Sequence, residues 1–460
     1  MNNWTIKEIY SALRLKHNEN KILFSGVSID SRTIKKGNLY IPLKGNNFDG
    51  HDFIENAFEN GASASLTEYY PKKNDSKKPL IFVKNNHKAL IELAKYSRKR
   101  IKNLITVCVT GSSGKTTLKE WIYEIFKTSK ISYCTIGNFN NEIGMPLSLA
   151  NMPKNTELCI LELGMNSPGE IRKLSKIANP NISIITNIGS AHAENFKKLE
   201  EIAFEKSEIF TFLDEKSIAI IPRDSEFFDL INKKALKKTK KVFSFGKKDN
   251  CHFKIEDNLE SKFSEFRIFN EFIKIENKSS FINWERNIVV ILGLAELLKI
   301  RINDLIPKIK NLKPIKGRGQ IKKIKFNDKL FNIIDESYNS NPESLNSALE
   351  NLANFNSGFS RKICIIGDML ELGKLSAKHH LNVVKTIMKI KPEIVITVGN
   401  HTRMIFENLP DYFQKFHYQD YKKVFRKLLS LIKNNDIIMI KGSNSMNLHL
   451  VTKKLNELGK

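Results

Sequence analysis

The sequence predicts an α/β protein of three domains, in which parallel sheets are covered by helices. From residue 80 onward, short apolar runs of strand length alternate with segments of helical periodicity. This alternation is typical of doubly wound parallel sheets. The chain has 460 residues, which is more than one domain of ordinary size contains. A small N-terminal α/β domain, a central domain with a mainly parallel sheet and a doubly wound C-terminal domain are therefore expected.

The domain boundaries follow from changes in this pattern. The small domain is expected over 1–85, the central domain over 86–313 and the C-terminal domain over 314–460, with the junction at Lys313-Pro314. Residues 243–281 are rich in Phe and Ile with alternation, which predicts a few antiparallel strands. The polar, proline-bounded segment 71–79 indicates a surface loop.

Buried-type strands are predicted in both larger domains. In the central domain they cover 105–109, 158–164, 182–189 and 217–221; in the C-terminal domain they cover 331–334, 362–366, 393–398 and 436–440. The carboxyl ends of parallel strands form the ligand crevice of such sheets. Polar, turn-rich segments at these ends therefore mark the place where a site is expected.

Composition narrows the class of protein. A hydrophobic fraction of 41% and a charged fraction of 27% are typical of a globular protein. No apolar run approaches the roughly 18 residues of a membrane span, and the first residues lack a signal core. The five cysteines form no C-x-x-C pair, which argues against a zinc site and for a reducing compartment. A cytoplasmic protein is expected.

The net charge of +26 raises the question of nucleic acid. Most of the excess is Lys scattered along the chain, and aromatic residues do not interleave with it as a stacking platform requires. Attraction for anionic substrates is the milder consequence of the charge. No nucleic-acid partner is expected.

The most informative stretch is Thr110-Gly-Ser-Ser-Gly-Lys-Thr-Thr117, which follows a predicted strand and opens a predicted helix. Glycines 111 and 114 let backbone N–H groups approach phosphate oxygens, and the helix N-terminus adds a favourable field. Lys115 supplies a positive charge, and the Thr116 hydroxyl is placed to ligate Mg²⁺. The spacing is shorter than that of the strict G-x-x-x-x-G-K-[ST] motif. Nucleotide binding is the favoured interpretation, and an ordinary glycine-rich turn is the alternative.

Three polar residues fall at or just past the ends of central strands: Thr116, Glu162 and His192. Each has an unremarkable interpretation alone, as a solvated acid or a hydrogen-bonded structural histidine. Their common position around the phosphate loop favours one site. Lys206 lies on a predicted helix, where a solvated face is the default for a lysine-rich chain. Asp30-Ser-Arg32 is a weak candidate for a phosphate or sugar clamp.

Taken together, these segments resemble the Mur ligases, the ATP-dependent amide-bond enzymes of peptidoglycan synthesis. Four sequence motifs carry the resemblance. They are the phosphate loop, Glu162 in Leu-Glu-Leu-Gly, His192 after Asn-Ile-Gly-Ser-Ala and Lys206 in Glu-Lys-Ser-Glu-Ile-Phe. The segments that resemble the MurF type within the family are 137–146, 164–171, 335–342 and 367–373. The resemblance runs from Asp30 to Lys441 in the family's order.

The resemblance implies an N-terminal UDP-binding domain, a central P-loop-type ATPase domain and a C-terminal Rossmann-like domain. It implies ATP and Mg²⁺ as cofactors. The residues that it assigns to ATP are Gly111, Ser112, Ser113, Gly114, Lys115, Thr116, Thr117, Asn287, Arg318, Asp335 and Tyr338. Those that it assigns around Mg²⁺ are Thr116, Glu162, His192 and Lys206, the last as a carbamate. Those that it assigns to catalysis are Lys115, His192, Lys206 and Arg318.

The resemblance also implies the substrates. Asp30, Ser31 and Arg32 would contact the UDP moiety, and Asn138 and Asn141 would lie near the muramoyl peptide. The implied reaction joins D-Ala-D-Ala to UDP-N-acetylmuramoyl-tripeptide through an acyl phosphate, in a cytoplasmic monomer. Three alternatives remain: a sister ligase with another acceptor, a nucleic-acid-associated ATPase suggested by the charge, and a catalytically silent homologue.

Overall fold

The structure is a computed structural model that describes residues 3–16, 21–70, 77–257, 262–277, 283–355 and 361–459. In these ranges the predicted α/β architecture is confirmed, with three helix-covered sheets in chain order and a two-stranded ribbon at the start. The predicted loop 71–79 lies mostly outside the described residues. No helix in the described part of the chain combines the length and the apolar character that crossing a membrane requires.

The N-terminal part forms a four-stranded parallel sheet of order β3-β4-β5-β6. Its elements are β1 (Trp4–Thr5), α1 (Ile6–Leu13), β2 (Leu23–Phe24), β3 (Gly26–Ser28), β4 (Asn38–Tyr40), α2 (Ile54–Glu59), β5 (Ala64–Thr67) and β6 (Leu80–Phe82). Helix α1 begins at a capping box, in which Thr5 and Glu8 each accept a hydrogen bond from the other's backbone N–H. The strands β1 and β2 pair as the antiparallel ribbon.

The central part is built on a nine-stranded sheet of order β15-β14-β13-β12-β11-β10-β7-β9-β8. Its elements are α3 (Asn86–Lys99), β7 (Ile105–Thr110), α4 (Lys115–Phe126), β8 (Ser132–Cys134), α5 (Gly144–Ala150), β9 (Leu158–Glu162), α6 (Glu170–Ala178), β10 (Ile182–Ile185), α7 (Leu199–Ser207), β11 (Ile218–Pro222), α8 (Phe228–Leu236), β12 (Val242–Gly246), β13 (Phe253–Glu256), β14 (Phe263–Ile268), β15 (Glu271–Glu276), α9 (Trp284–Leu297) and α10 (Ile306–Lys310).

The pairing in this sheet is parallel from β8 to β13, and only β14 and β15 run antiparallel to their neighbours. The antiparallel strands predicted in 243–281 are thus confirmed for β14 and β15, whereas β12 and β13 pair in parallel and continue the central sheet. Residues 258–261 and 278–281 lie outside the described part. Strands such as β9 are buried along their whole length because helices cover both faces.

The C-terminal part is a six-stranded sheet of order β16-β17-β21-β18-β19-β20, in which β16 alone is antiparallel. Its elements are β16 (Gln320–Phe326), β17 (Lys329–Glu336), α11 (Pro342–Asn354), β18 (Lys362–Gly367), α12 (Ser376–Ile390), β19 (Ile394–Val398), α13 (Arg403–Asn408), β20 (Gln414–Tyr418), α14 (Lys422–Leu431), β21 (Ile437–Lys441) and α15 (Leu448–Leu458). Two apolar clusters cover its two faces.

Two helices matter for the positions of the domains. The leucines of α3, Leu90 and Leu93, are buried in the core of the N-terminal sheet, whereas Ala94 of the same helix belongs to the central core. This helix therefore joins the two domains. Helix α11 begins with Asn341 as its cap, whose Oδ1 accepts a hydrogen bond from the N–H of Ser344 at 2.9 Å. Its first turn is directed at the central domain.

Candidate active site

The phosphate loop connects β7 to α4, as the sequence predicts. Gly111 and Gly114 have φ angles of +149° and +77°, which L side chains rarely adopt. A Cβ atom at Gly111 would also collide with the Thr186 hydroxyl. The backbone reverses here without side chains, so that the N-terminus of α4 stays accessible.

The segment after β10 holds this loop in place. Thr186 Oγ1 donates a hydrogen bond to the carbonyl of Ser113 at 2.6 Å. Asn187 Oδ1 accepts from the N–H of Ser113 at 2.8 Å, and Asn187 Nδ2 donates to the hydroxyl of the same serine at 2.7 Å. Ser112 donates its hydroxyl hydrogen to the carbonyl of Gly189 at 2.9 Å. The loop is thus preorganised by its neighbouring strand end.

Lys115 lies over the loop. Its Nζ donates to the carbonyl of Gly111 at 2.7 Å. Burial lowers the pKa of Lys115, the positive charge of Arg318 acts in the same direction, and the negative charge of Glu162 opposes them. A half-buried cation beside the N-terminus of a helix is an arrangement that binds phosphate.

Glu162 and His192 reach the same space from the ends of β9 and β10. The Glu162 side chain is 1% exposed; its Oε1 accepts from Asn140 Nδ2 at 2.8 Å, and its Oε2 has no hydrogen-bond partner among the described residues. His192 has a left-handed backbone with φ of +62°, and its Nδ1 lies 2.6 Å from Glu371 Oε2. The predicted grouping of these residues with Thr116 agrees with the structure, since all three line one cavity.

This cavity, of about 540 Å³, lies between the central and C-terminal domains. The predicted site residues that line it are Ser112, Ser113, Gly114, Lys115, Thr116, Thr117, Asn138, Glu162, His192, Asn287, Arg318 and Tyr338. Those that lie outside its lining are Asp30, Ser31, Arg32, Gly111, Asn141, Lys206 and Asp335. The structure thus gathers most of the predicted phosphate, metal and C-terminal residues around one cavity, whereas Lys206, Asp335 and the N-terminal residues lie outside its lining.

Lys206 is a buried residue, although a lysine-rich sequence favours a solvated one. It lies in α7 and is 1% exposed. Burial holds the pKa of Lys206 well below its usual value, and the nearby charge of Lys115 lowers it further, whereas Glu205 acts in the opposite direction. The side chain therefore favours a neutral amine, which is the form that can react with carbon dioxide.

The C-terminal domain contributes a cation and an aromatic ring to the cavity. The guanidinium carbon of Arg318 lies 4.1 Å from the ring centre of Tyr338. Asp335, at the end of β17, is 4% exposed, and its Oδ1 accepts from the Ser337 hydroxyl at 2.6 Å. This carboxylate shapes the turn that carries Tyr338. Asn287, on α9, is 8% exposed and faces the cavity from the central domain.

The Asp30-Ser-Arg32 segment follows β3 at the carboxyl edge of the N-terminal sheet. Arg32 donates to both carboxylate oxygens of Asp30, at 2.9 and 2.8 Å, and this contact lowers the pKa of Asp30. Ser31 is buried, and its carbonyl accepts from Asn60 Nδ2 at 2.9 Å. The segment forms a local turn at the edge where ligands of parallel sheets bind.

Sequence reasoning missed several residues at the cavity. It selected Asn138 and Asn141, but the Asn141 side chain accepts from the N–H of Gly144, the first residue of α5, at 2.8 Å, and it is Asn140 that contacts Glu162. A run of three asparagines interrupted by one phenylalanine could not reveal which asparagine contacts Glu162. Glu371, which contacts His192, lies in the segment 367–373, which the sequence marked only as a whole.

The comparisons with known proteins agree with this geometry. Three family models match the chain in order: the Mur ligase catalytic domain over 23–100, the Mur ligase middle domain over 109–285 and the glutamate ligase domain of Mur ligases over 317–444. The UDP-N-acetylmuramoyl-tripeptide–D-alanyl-D-alanine ligase of Rickettsia prowazekii is 34% identical to this chain. The matched region covers 97% of this chain and 98% of that ligase.

Solved structures give the same result. MurF from Acinetobacter baumannii matches with a TM-score of 0.86 and 25% identity, covering 99% of both chains. MurF ligase from Thermotoga maritima, solved in complex with ADP, matches with a TM-score of 0.78 and 28% identity, covering 94% of this chain and 97% of that one. With family models along the chain and relatives of this identity over nearly its full length, the chain belongs to the Mur ligase family, in its MurF type.

Proposed function

We propose that this chain joins D-alanyl-D-alanine to UDP-N-acetylmuramoyl-tripeptide in an ATP-dependent reaction of peptidoglycan precursor synthesis. The products are UDP-N-acetylmuramoyl-pentapeptide, ADP and phosphate. One observation carries the proposal: Lys115, Glu162, His192 and Arg318, which come from two domains, line a single cavity. The matched ligases carry this activity in their names.

The reaction has two steps. The terminal carboxylate of the tripeptide attacks the γ-phosphorus of ATP. The bond from this phosphorus to the β–γ bridging oxygen breaks, so that ADP leaves and an acyl phosphate remains. The free amine of D-Ala-D-Ala then attacks the acyl carbon, loses a proton, and phosphate leaves as the amide forms. Lys115 and Arg318 bring positive charge to the cavity from opposite domains. Fixed charges of this kind stabilise the negative charge that develops in phosphoryl transfer.

The donor set of the cavity fits Mg²⁺. Glu162 offers a buried carboxylate oxygen without a hydrogen-bond partner in the described part of the chain, and Thr116 and His192 line the same cavity. No group of three or more His, Cys, Asp and Glu side chains in the described residues converges to form a complete cage. Mg²⁺ is commonly held by one or two carboxylates together with substrate phosphates. When bound, it supplies charge neutralisation of the transferring phosphoryl group.

Lys206 is proposed to act as a carbamate. Its low pKa favours the neutral amine that carbamylation requires. The product is an anion, so that a residue which as an ammonium would repel Mg²⁺ could help to hold it. His192, Lys206, Lys115 and Arg318 are then the catalytic residues.

The proposed division of labour follows the three domains, 1–85, 86–313 and 314–460. The first contacts the UDP moiety through Asp30, Ser31 and Arg32, with Asn138 and Asn141 of the central domain near the muramoyl peptide. The central domain holds the phosphates through 111–117 and the adenine through Asn287. Asp335 and Tyr338 of the C-terminal domain close over the nucleotide. The enzyme is proposed to be a cytoplasmic monomer without a nucleic-acid partner.

The direct test is phosphate release from Mg-ATP in the presence of UDP-N-acetylmuramoyl-tripeptide, with and without D-Ala-D-Ala. Release that depends on the dipeptide, with the product gaining its mass minus water, is the expected result. Turnover only with a single amino acid on a shorter precursor would assign the chain to a sister ligase. Release stimulated only by DNA or RNA would overturn the proposal.

A further inference from the structure

A glutamate of the C-terminal domain binds the turn that follows β10 in the central domain. Glu343, in the first turn of α11, accepts two hydrogen bonds through Oε1, from the N–H of Ser190 at 2.8 Å and from its hydroxyl at 2.9 Å. Ser190 is 1% exposed. Hydrogen bonds to a charged acceptor are stronger than those between neutral groups. The contact therefore fixes the position of α11 on the central domain.

Gly189 is shaped to receive this side chain. A Cβ atom built at Gly189 would lie 2.5 Å from Cδ and 2.6 Å from Oε1 of Glu343. Gly189 is not among the glycines with positive φ, so its own backbone conformation does not require glycine. The requirement comes from the glutamate of the other domain.

The same turn is bonded to the phosphate loop. Ser112 Oγ accepts from the N–H of Gly189 at 2.8 Å and donates to its carbonyl at 2.9 Å. The cap residue of α11, Asn341, donates from Nδ2 to the carbonyl of Ser112 at 3.3 Å. The first turn of α11 thus touches Ser112 directly and also reaches it through Gly189.

The Glu343 carboxylate is a poor choice if its only role is to stabilise the fold, because burying it costs free energy. Its Oε2 is buried and has no hydrogen-bond partner among the described residues. A buried acceptor without a partner loses its hydration and gains no hydrogen bond in return. Burial of a carboxylate is unfavourable when only one of its two oxygens is hydrogen-bonded. An apolar contact between α11 and the turn would avoid that cost. The carboxylate is therefore better explained by the geometry that it imposes on Ser190.

We propose that Glu343 is a positioning residue that couples docking of the C-terminal domain to the geometry of the phosphate loop, with Gly189 as its complementary surface. The inference rests on the proposed function in one respect, that the loop holds ATP. When the C-terminal domain docks, Glu343 fixes Ser190 and Gly189, and Gly189 fixes the hydroxyl of Ser112. Nucleotide affinity and domain docking are then linked, and each favours the other.

The test is a double-mutant cycle on the full chain, with Gly189→Ala, Glu343→Ala and the double variant. The control is Glu350→Ala, because Glu350 is an exposed acid on the same helix. The measurements are thermal unfolding, the radius of gyration by small-angle scattering without ligand, and the Kd of a non-hydrolysable ATP analogue by calorimetry. Initial rates then give kcat and KM for ATP separately.

Each single variant is expected to expand the molecule and to weaken analogue binding about 5- to 150-fold, the usual range of coupling between sites. The KM for ATP should rise as the affinity for the analogue falls. Glu350→Ala should behave as the wild-type protein does. The double variant should be no worse than Glu343→Ala alone, because the three atoms nearest to the alanine methyl all belong to the removed Glu343 side chain. This non-additivity keeps the test valid even if one single variant is unstable.

Additive effects in the cycle, or single variants with wild-type scattering and wild-type analogue affinity, would overturn the inference. Scattering needs no substrate, so the scattering result does not depend on the ligase activity. The radius of gyration can show the expected non-additivity in the cycle while the wild-type protein forms no pentapeptide in the ligase assay. In that case the proposed function fails and the docking contact stands.

Discussion

The Nδ1 atom of His192 lies 2.6 Å from the Oε2 atom of Glu371, and this pair joins the central domain to the C-terminal domain. Both residues have left-handed backbones, with φ of +62° and +63°. The carbonyl of Glu371 also accepts from the N–H of Glu194 at 3.1 Å. The contact with His192 lowers the pKa of Glu371, which keeps the carboxylate charged. In metal sites, a carboxylate beside Nδ1 of a histidine orients the ring and leaves Nε2 to bind the ion.

Replacing Glu371 with Gln should therefore weaken the site without unfolding the protein. Partners of this kind commonly contribute 10- to 100-fold in metal affinity, so the Mg²⁺ concentration for half-maximal activity is expected to rise by about that factor. Direct Mn²⁺ binding, measured by paramagnetic resonance in the presence of ADP, should weaken in parallel. Glu350→Gln, on the exposed face of α11, is the control. Unchanged Mn²⁺ binding in Glu371→Gln would show that the pair serves only to hold the domains together.

Gly111→Ala should abolish nucleotide binding, because a side chain there meets Thr186 and φ is +149°. The matched control is Gly169→Ala. Gly169 also has a positive φ of +87°, but a Cβ atom there meets nothing within 4 Å. The control should lose about 1–2 kcal/mol of stability from backbone strain alone and keep its affinity for an ATP analogue. Calorimetric titration and thermal unfolding of both variants separate the two effects; equal loss of affinity in both would refute the steric argument.

Carbamylation of Lys206 can be observed without turnover. Protein incubated with ¹³C-bicarbonate should show a carbamate carbon signal that is lost in Lys206→Ala. Lys119 provides the comparison, since it is equally buried but donates to the carbonyls of Thr135 and Gly137 and lies 2.7 Å from Glu120 Oε1. Lys119→Met should leave the signal in place. A signal that survives Lys206→Ala would assign the modification to another lysine.

His380 gives the stability of the protein a defined pH dependence. Its Nδ1–H donates to the carbonyl of Ser376 at 2.8 Å and its Nε2 accepts from the N–H of Met369 at 3.1 Å, so the ring is neutral in the fold. Burial lowers its pKa; the carboxylate of Asp368 opposes this shift, and His401 and His379 add to it. In the unfolded chain His380 has an ordinary pKa of about 6.5. As the pH falls below this value, the unfolded state therefore binds more protons than the folded state.

The stability that His380 contributes is therefore complete above that pH and is lost as the pH falls from about 6.5 toward the lower pKa of the folded state. Denaturant unfolding at a series of pH values should show this decline. His380→Gln, whose amide oxygen can still accept from Met369, should reduce the slope in this window. An unchanged slope would assign the acid sensitivity to other histidines, of which His252 and His417 also have lowered pKa values.

The sequence predicts the fold and the centre of the site well because both depend on local patterns. Strand-length apolar runs fix the sheets, and the carboxyl ends of parallel strands collect Thr116, Glu162 and His192 by topology alone. The contacts of Glu343 and Glu371 could not be predicted in this way, since they join residues that are far apart in the sequence and belong to two domains. The burial of Lys206 likewise depends on how α7 packs, and only the family resemblance singled it out among many lysines.

The antiparallel strand β16 lies at the end of the order of the C-terminal sheet, and its outer backbone groups face no strand in the described part of the chain. Such an edge can recruit the strand of another molecule and start aggregation. Lys323 and Lys325 are exposed along it, and a second copy of the same edge would place like charges opposite each other. Part of the surplus of lysine is thus placed where its charge opposes pairing between two copies of this edge.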